Sequence, residues 1–173
     1  SGTTFSDMEI RDKDSAYCII SATLKQQHIA APTPVTDSLI FILESGIQQQ
    51  VQIIAYGQDV IILKGKTITS DTLFTSEYPF YIYDSLVVAA DAELKIAAGS
   101  KLHFHKNAGL TVRGKITAIG NNDSIIEFRG GRTDNLFDDL PYDQLSDQWQ
   151  GIHLTTESFG NIFEFCDIRN GKY

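Results

Sequence analysis

The stretch that decides the fold runs from Leu86 to Gly120, LVVAADAELKIAAGSKLHFHKNAGLTVRGKITAIG. Apolar residues recur there in pairs two positions apart: Leu86/Val88, Leu94/Ile96, Leu102/Phe104, Leu110/Val112 and Ile116/Ala118, with Ile126/Phe128 continuing the series. A period of two marks a short strand with one buried face. The leucines at 86, 94, 102 and 110 stand eight residues apart, and corner residues separate the pairs: Ala90-Asp91, Gly99-Ser100, Asn107-Ala108-Gly109, Gly114 and the run from Gly120 to Asp123. Each unit is too small to bury its own apolar face, so the units must stack with all such faces inward, which is a β-solenoid. An antiparallel meander is the other arrangement of the same pattern. It needs a reversal at every turn, for which Asn-Gly or Asp-Gly loops are suited, whereas single glycines and an Ala-Asp step bend the chain without reversing it.

Outward from this stretch the chain stays β-like. Helical periodicity is nearly absent, and short runs of β-branched and aromatic residues alternate with polar ones. Residues 17–24 (YCIISATL) read as a strand, and 28–36, with Pro32 and Pro34, reads as a connecting loop. Residues 37–44 (DSLIFILE) and 49–56 (QQVQIIAY), joined across Ser45-Gly46, read as a β-hairpin. Tyr78, Phe80, Tyr81 and Tyr83 form an aromatic stripe at a junction, where packing is the expected use. Downstream, 130–151 (GGRTDNLFDDLPYDQLSDQWQG) interrupts the repeat as an inserted loop. Leu136, Phe137, Leu140, Pro141, Tyr142 and Leu145 predict that it folds back on the solenoid as a flap.

Composition narrows the classes of function. A net charge of -8, with no Lys/Arg cluster, excludes a polyphosphate-binding surface, so nucleic acid is not an expected partner. No apolar run approaches the roughly 18 residues of a membrane-spanning helix. Cys18 and Cys166 are read as buried small hydrophobes rather than a bridge.

Several quoted segments carry a resemblance: 86–120 itself, 125–143 (IIEFRGGRTDNLFDDLPYD), 148–152 (QWQGI) and 163–171 (FEFCDIRNG). They resemble the right-handed parallel β-helix proteins of the surface of Bacteroides-type bacteria, many of them lipoproteins. The match rests on Leu94 to Ile96, Gly99-Ser100, Phe104-His105 and Ala108-Gly109-Leu110. Upstream, 37–60 (DSLIFILESGIQQQVQIIAYGQDV) is similar to the end of the immunoglobulin-like domain that precedes the helix in that family. The resemblance implies an all-β chain: a partial immunoglobulin-like β-sandwich over 1–63, junction strands over 64–84, and the first coils of a right-handed parallel β-helix over 85–173. It also implies an extracytoplasmic location, at the cell surface or anchored to the outer membrane. The sequence stops at Tyr173 without a cap, and an uncapped solenoid end implies either a fragment or a homodimer formed through that end.

Candidate chemistry is sparse. His103 and His105 flank Phe104 and share the outer face of a strand; an H-x-H pair chelates zinc when a third ligand converges, and without one both are expected to face solvent. Asp134, Asp138, Asp139 and Asp143 put hard oxygen donors in the inserted loop and are the candidate calcium ligands. The order of an EF-hand loop is missing, so an acidic surface is the plainer expectation. Trp149 and Tyr142 are the candidate sugar-stacking rings, although beside Gly151, at the re-entry to a coil, the expected role of Trp149 is to cover the base of the flap. Glu127 and Arg129 on one strand, and Glu164 and Asp167 on another, are the polar positions that a polysaccharide-cleaving site would draw on. No catalytic signature is present, and the function expected is a non-catalytic cell-surface scaffold for adhesion or for a glycan or protein ligand. The alternatives are a polysaccharide-processing enzyme whose catalytic coils lie beyond Tyr173, and a structural spacer.

Overall fold

The computed structural model describes residues 4–6, 8–10, 13–21, 23, 28–132, 135–137 and 139–172. Strands β1 (Thr33–Ile42) and β2 (Gln48–Gly57) pair antiparallel from Thr33 opposite Gly57 to Ile42 opposite Gln48. This is the expected hairpin, with Gly46 at φ +82° in its turn, a conformation open to glycine. Its first strand starts earlier than the sequence implied. Pro34 is accommodated because β1 lies on the edge of a two-stranded sheet, where an absent amide donor breaks no second ladder. The hairpin strands pair only with each other among the described residues, so an immunoglobulin-like sandwich is not shown. The strand expected at 17–24 is not formed over 17–21, where Tyr17 and Ile19 are 92% and 95% exposed; Ala22 and Leu24 lie outside the described residues.

From Ile61 onward the chain is a β-solenoid built from parallel ladders on three sides. The first coil holds β3 (Ile61–Ile68) and β4 (Thr72–Phe74), and the second β5 (Phe80–Val88) and β6 (Glu93–Ile96). The third holds β7 (Lys101–Phe104), β8 (Gly109–Val112) and β9 (Lys115–Ile119). The fourth opens with β10 (Ile126–Gly130) and is interrupted by a small antiparallel pair, β11 (Asn135–Phe137) and β12 (Leu140–Pro141). It resumes with β13 (Ile152–Leu154) and β14 (Ile162–Glu164), and β15 (Cys166–Ile168) begins the next rung.

Strands β3 and β5 each bend across two sides. The bend in β5 is at Asp84, φ +63°, opposite the irregularity between Lys64 and Lys66 where Gly65 has φ +53°. Two adjacent coils thus turn the same corner through a left-handed residue. The stretch expected as a junction, 64–84, supplies strands to these stacks.

Register explains the eight-residue rhythm. Ile61 lies beside Phe80, Phe80 beside Leu102, Leu102 beside Phe128 and Phe128 beside Ile168. Leu86 lies beside Leu110 and Leu110 beside Ile152, while Leu94 lies beside Ile116. Eight residues is therefore one side of the coil, and the 24 from Leu86 to Leu110 are one full turn. All twelve residues of the six apolar pairs are buried, eleven of them at 0% exposure and Ile96 at 3%. Like residues stack on like along the axis, which removes their faces from water without requiring any coil to fold alone. Aromatic rings add to the fill: Phe74 stacks on Phe80 with centroids 4.2 Å apart, and Phe104 on Trp149 at the same distance.

Gly114 shows how tightly the corners pack. A β-carbon there would lie 2.2 Å from the Ala92 carbonyl oxygen and 2.3 Å from that of Ala89, so only glycine lets the third coil pass over the second.

Candidate functional site

The insertion does not hang free. Leaving the coil at Gly131, whose N–H donates to the Phe104 carbonyl, it returns at Gln148 and Gln150, whose N–H groups donate to the Asn170 and Ala108 carbonyls. Between these points it lies over the outer face of the β5–β7–β10–β15 ladder as the expected flap. The Asp143 carboxylate bridges two coils, 3.4 Å from Arg129 Nη1 and 2.7 Å from Arg169 Nη1. Asn170 donates its side-chain amide to the carbonyls of Asp143 at 2.7 Å and Leu145 at 2.9 Å. Gln148 donates to the Leu145 and Tyr142 carbonyls, and the Tyr81 hydroxyl donates to the Gly131 carbonyl.

Between flap and coil is a cleft of 490 Å³, within the range of small-ligand sites. Tyr81, His105 and Lys106 form its coil side and Tyr142, Asp147 and Gln148 its flap side, with Arg132 at the hinge. The Arg132 guanidinium stacks over the Tyr142 ring, 3.5 Å from its centroid. That arrangement orients both groups at the mouth of the cleft.

Beneath the flap the register assembles an outward column that the sequence could not place: Tyr81 beside His103, and His103 beside Arg129. His103 is only 6% exposed, which corrects the expectation that it faces solvent. It does point away from the coil interior, but Tyr81 meets it edge-on at 5.4 Å and the flap closes over the ladder. Burial pushes its imidazole down from 6.5 to about 4; nearby Arg129 and Lys101 act in the same direction and Asp143 opposes them. Its Nε2 has no hydrogen-bond partner among the described residues. His105 is exposed, stacked on Tyr83 at 5.1 Å, so the two histidines share a face but not an environment.

A second outward column runs Lys101, Glu127, Asp167. Glu127 lies 3.8 Å from Lys101 and 3.9 Å from Arg129, and Asp167 pairs with Arg169. Glu127 and Asp167 are therefore neighbours on adjacent rungs, each beside a cation, while Glu164 is exposed on a different side. On that side Glu93 is the perturbed carboxyl: a hydrogen bond from Thr117, with Lys115 beside it, holds it down at about 2.

The remaining candidates separate cleanly. Trp149 is 0% exposed; Phe104 covers its ring and its indole N–H donates to the Arg169 carbonyl at 2.8 Å, so it packs the base of the flap. Tyr142 lines the cleft. Asp134 and Asp138 lie outside the described residues; Asp139 is exposed, and Asp143 is engaged by two arginines. Among the described residues no group of three or more potential metal ligands converges. Both cysteines are free; Cys166 is half-buried, and burial pushes its thiol up, whereas Cys18 is exposed, which corrects its reading as a buried hydrophobe. The last rung leaves a second hollow of 350 Å³ at the end of the stack, walled by Trp149, Ile152, Leu154, Phe163 and Ile168. Among the described residues no helix is long and apolar enough to cross a membrane.

Comparison with known proteins adds little to this geometry. No protein-family model matches the chain, and no solved structure matches it. An alignment 110 positions long, which takes in 58% of the chain, is 30% identical to Protein bark beetle of Drosophila melanogaster, of which it spans 4%. That share is too small to carry the larger protein's activity across.

Proposed function

We propose that this chain is a non-catalytic binding module, in which a right-handed parallel β-helix presents the flap-covered cleft to a glycan or to an exposed segment of a protein. The cleft is the single observation that carries this reading. Two tyrosines, an amide side chain and two cations converge in a concave space of ligand size. Tyrosine faces suit the apolar side of a sugar ring and amides suit its hydroxyls. The right hand is the one that parallel strands joined by crossovers almost always take.

Glu127 and Asp167, the carboxylates that a cleaving site would draw on, do not line the cleft, which supports binding over catalysis. A rigid acidic scaffold suits an extracytoplasmic surface, where we place it together with a partial immunoglobulin-like unit over 1–63. The hollow at the last rung is the proposed contact for a second copy.

A glycan-array screen with and without calcium, paired with an assay for released product, tests the proposal. Binding that is lost in Tyr142→Ala and Lys106→Ala, without turnover, is the expected result. Turnover would replace the reading with a polysaccharide-processing enzyme, and silence on both readouts would favour a spacer. Calcium-dependent binding would return attention to the acidic loop.

A further inference from the structure

His103 is buried on the outer face of the coil. Its neighbours on the same strand, Leu102 and Phe104, fill the interior at 0% exposure, but His103 points outward between Tyr81 and Arg129, and both of these are tied to the flap segment, Tyr81 through the Gly131 carbonyl and Arg129 through Asp143. The groups that face it are Tyr81 from β5, Lys101 and His105 from β7, and Glu127 and Arg129 from β10. Asp143 from the flap and Asp167 and Arg169 at β15 complete the set. Lys101, Arg129 and Arg169 balance Glu127, Asp143 and Asp167, so the cluster is neutral only while His103 is. A proton on His103 adds an uncompensated charge out of water beside two cations.

The flap is the part that gives way. No described residue between 131 and 148 is fully buried, whereas the coils beneath hold a continuous core at or near 0% exposure. Segments with few buried apolar contacts open before the core does.

We propose that His103 is an acid-operated latch: while neutral it packs under the flap and the cleft is formed, and on taking a proton it lifts the flap and the cleft comes apart. As regulation of ligand binding this rests on the reading of the cleft as the binding site; as a motion of the flap it does not need a ligand. The closed form carries the lower proton affinity, about 4 against the ordinary 6.5, because the ring is out of water there. Closure is therefore fully favoured above pH 6.5 and weakens as pH falls from there toward 4. A ligand held in the cleft at neutral pH would be released on acidification.

Hydrogen exchange of the 173-residue chain between pH 7.5 and 4.5, corrected for the intrinsic rate, tests this without a ligand. The expected result is a loss of protection in peptides from 131–148 that grows as pH falls across that range, while peptides from 86–112 stay protected. His103→Gln and His103→Phe should each flatten the flap profile, and His105→Gln should leave it unchanged. Flat flap protection in the unaltered chain overturns the latch, and so does an equal slope in both His103 variants. Loss of protection in flap and coil together also overturns it. None of these outcomes bears on the sugar screen, so the binding reading stands or falls separately.

Discussion

Replacing Trp149 by alanine is the sharpest test of how the flap joins the coil. The indole is 0% exposed and lies 4.2 Å from the Phe104 ring at an interplanar angle of 13°. A buried tryptophan removes roughly 150–250 Å² from water, which at about 25 cal/mol per Å² is about 4–6 kcal/mol. Its N–H bond to the Arg169 carbonyl adds about 1 kcal/mol. Some of that total returns as the site relaxes, and Trp149→Ala is expected to cost about 4–5 kcal/mol, at the upper end of aromatic truncations in cores. Native stability for a domain is about 5–15 kcal/mol, so the variant sits close to unfolding. With a urea slope of about 2 kcal/mol per M the midpoint should fall by about 2 M. Because Trp149 is the chain's single tryptophan, its fluorescence reports the same site: blue-shifted and poorly quenched by acrylamide in the unaltered protein. A loss below about 1 kcal/mol, with ready quenching, would refute the packing argument and restore Trp149 as an exposed sugar platform.

Gly114→Ala places a β-carbon 2.2 Å from a backbone oxygen and should cost about 2–3 kcal/mol, lowering the thermal midpoint by about 5–10 °C; an unchanged melting curve would mean that the corner has slack. Gly109→Ala, which would meet the Gln150 β-carbon at 3.0 Å and the Gly151 carbonyl oxygen at 3.4 Å, is expected to be milder in the same assay because neither approach is as close as those at Gly114. Asp143→Asn removes the bridge between Arg129 and Arg169, and because these groups are partly solvated the effect on closure should be roughly 0.5–1 kcal/mol, read as a two- to fivefold rise in flap exchange at pH 7. Glu93 should titrate near pH 2 by NMR; its stabilising share is present above its ordinary value of 4.5 and is lost as pH falls through 2, and Thr117→Val should raise the midpoint.

The coil pattern was legible because it is local. Pairs such as Leu94/Ile96 announce a strand within three residues, and the eight-residue step announces the length of a side. The hairpin was legible for the same reason, although its first strand extends back over Pro34 because an edge position removes the penalty that sequence reasoning assigned to proline. The environment of His103 was not legible. Its aromatic neighbour Tyr81 comes from β5 and its cationic neighbour Arg129 from β10, brought alongside by a register that no spacing rule states. The same holds for Glu127 and Asp167, 40 residues apart in sequence and adjacent in the ladder. Trp149 was ambiguous because stacking on a sugar and stacking on Phe104 use the same chemistry, and only the position of Phe104 separates them.

The two ends of the flap have a consequence for how such a chain diversifies. Gly131 and Gln150 are each tied by a backbone hydrogen bond to the third coil, and Trp149 packs on Phe104 beside the second of them, so the fourth coil closes its ladder whatever lies over 132–147. Insert length enters the closure entropy only logarithmically, each doubling adding about 0.6 kcal/mol. The segment over 132–147 is thus a graft point. Its composition can drift, lengthen or be exchanged while Leu102, Phe104 and Phe128 remain in register, which uncouples the inheritance of what is recognised from the inheritance of what is folded.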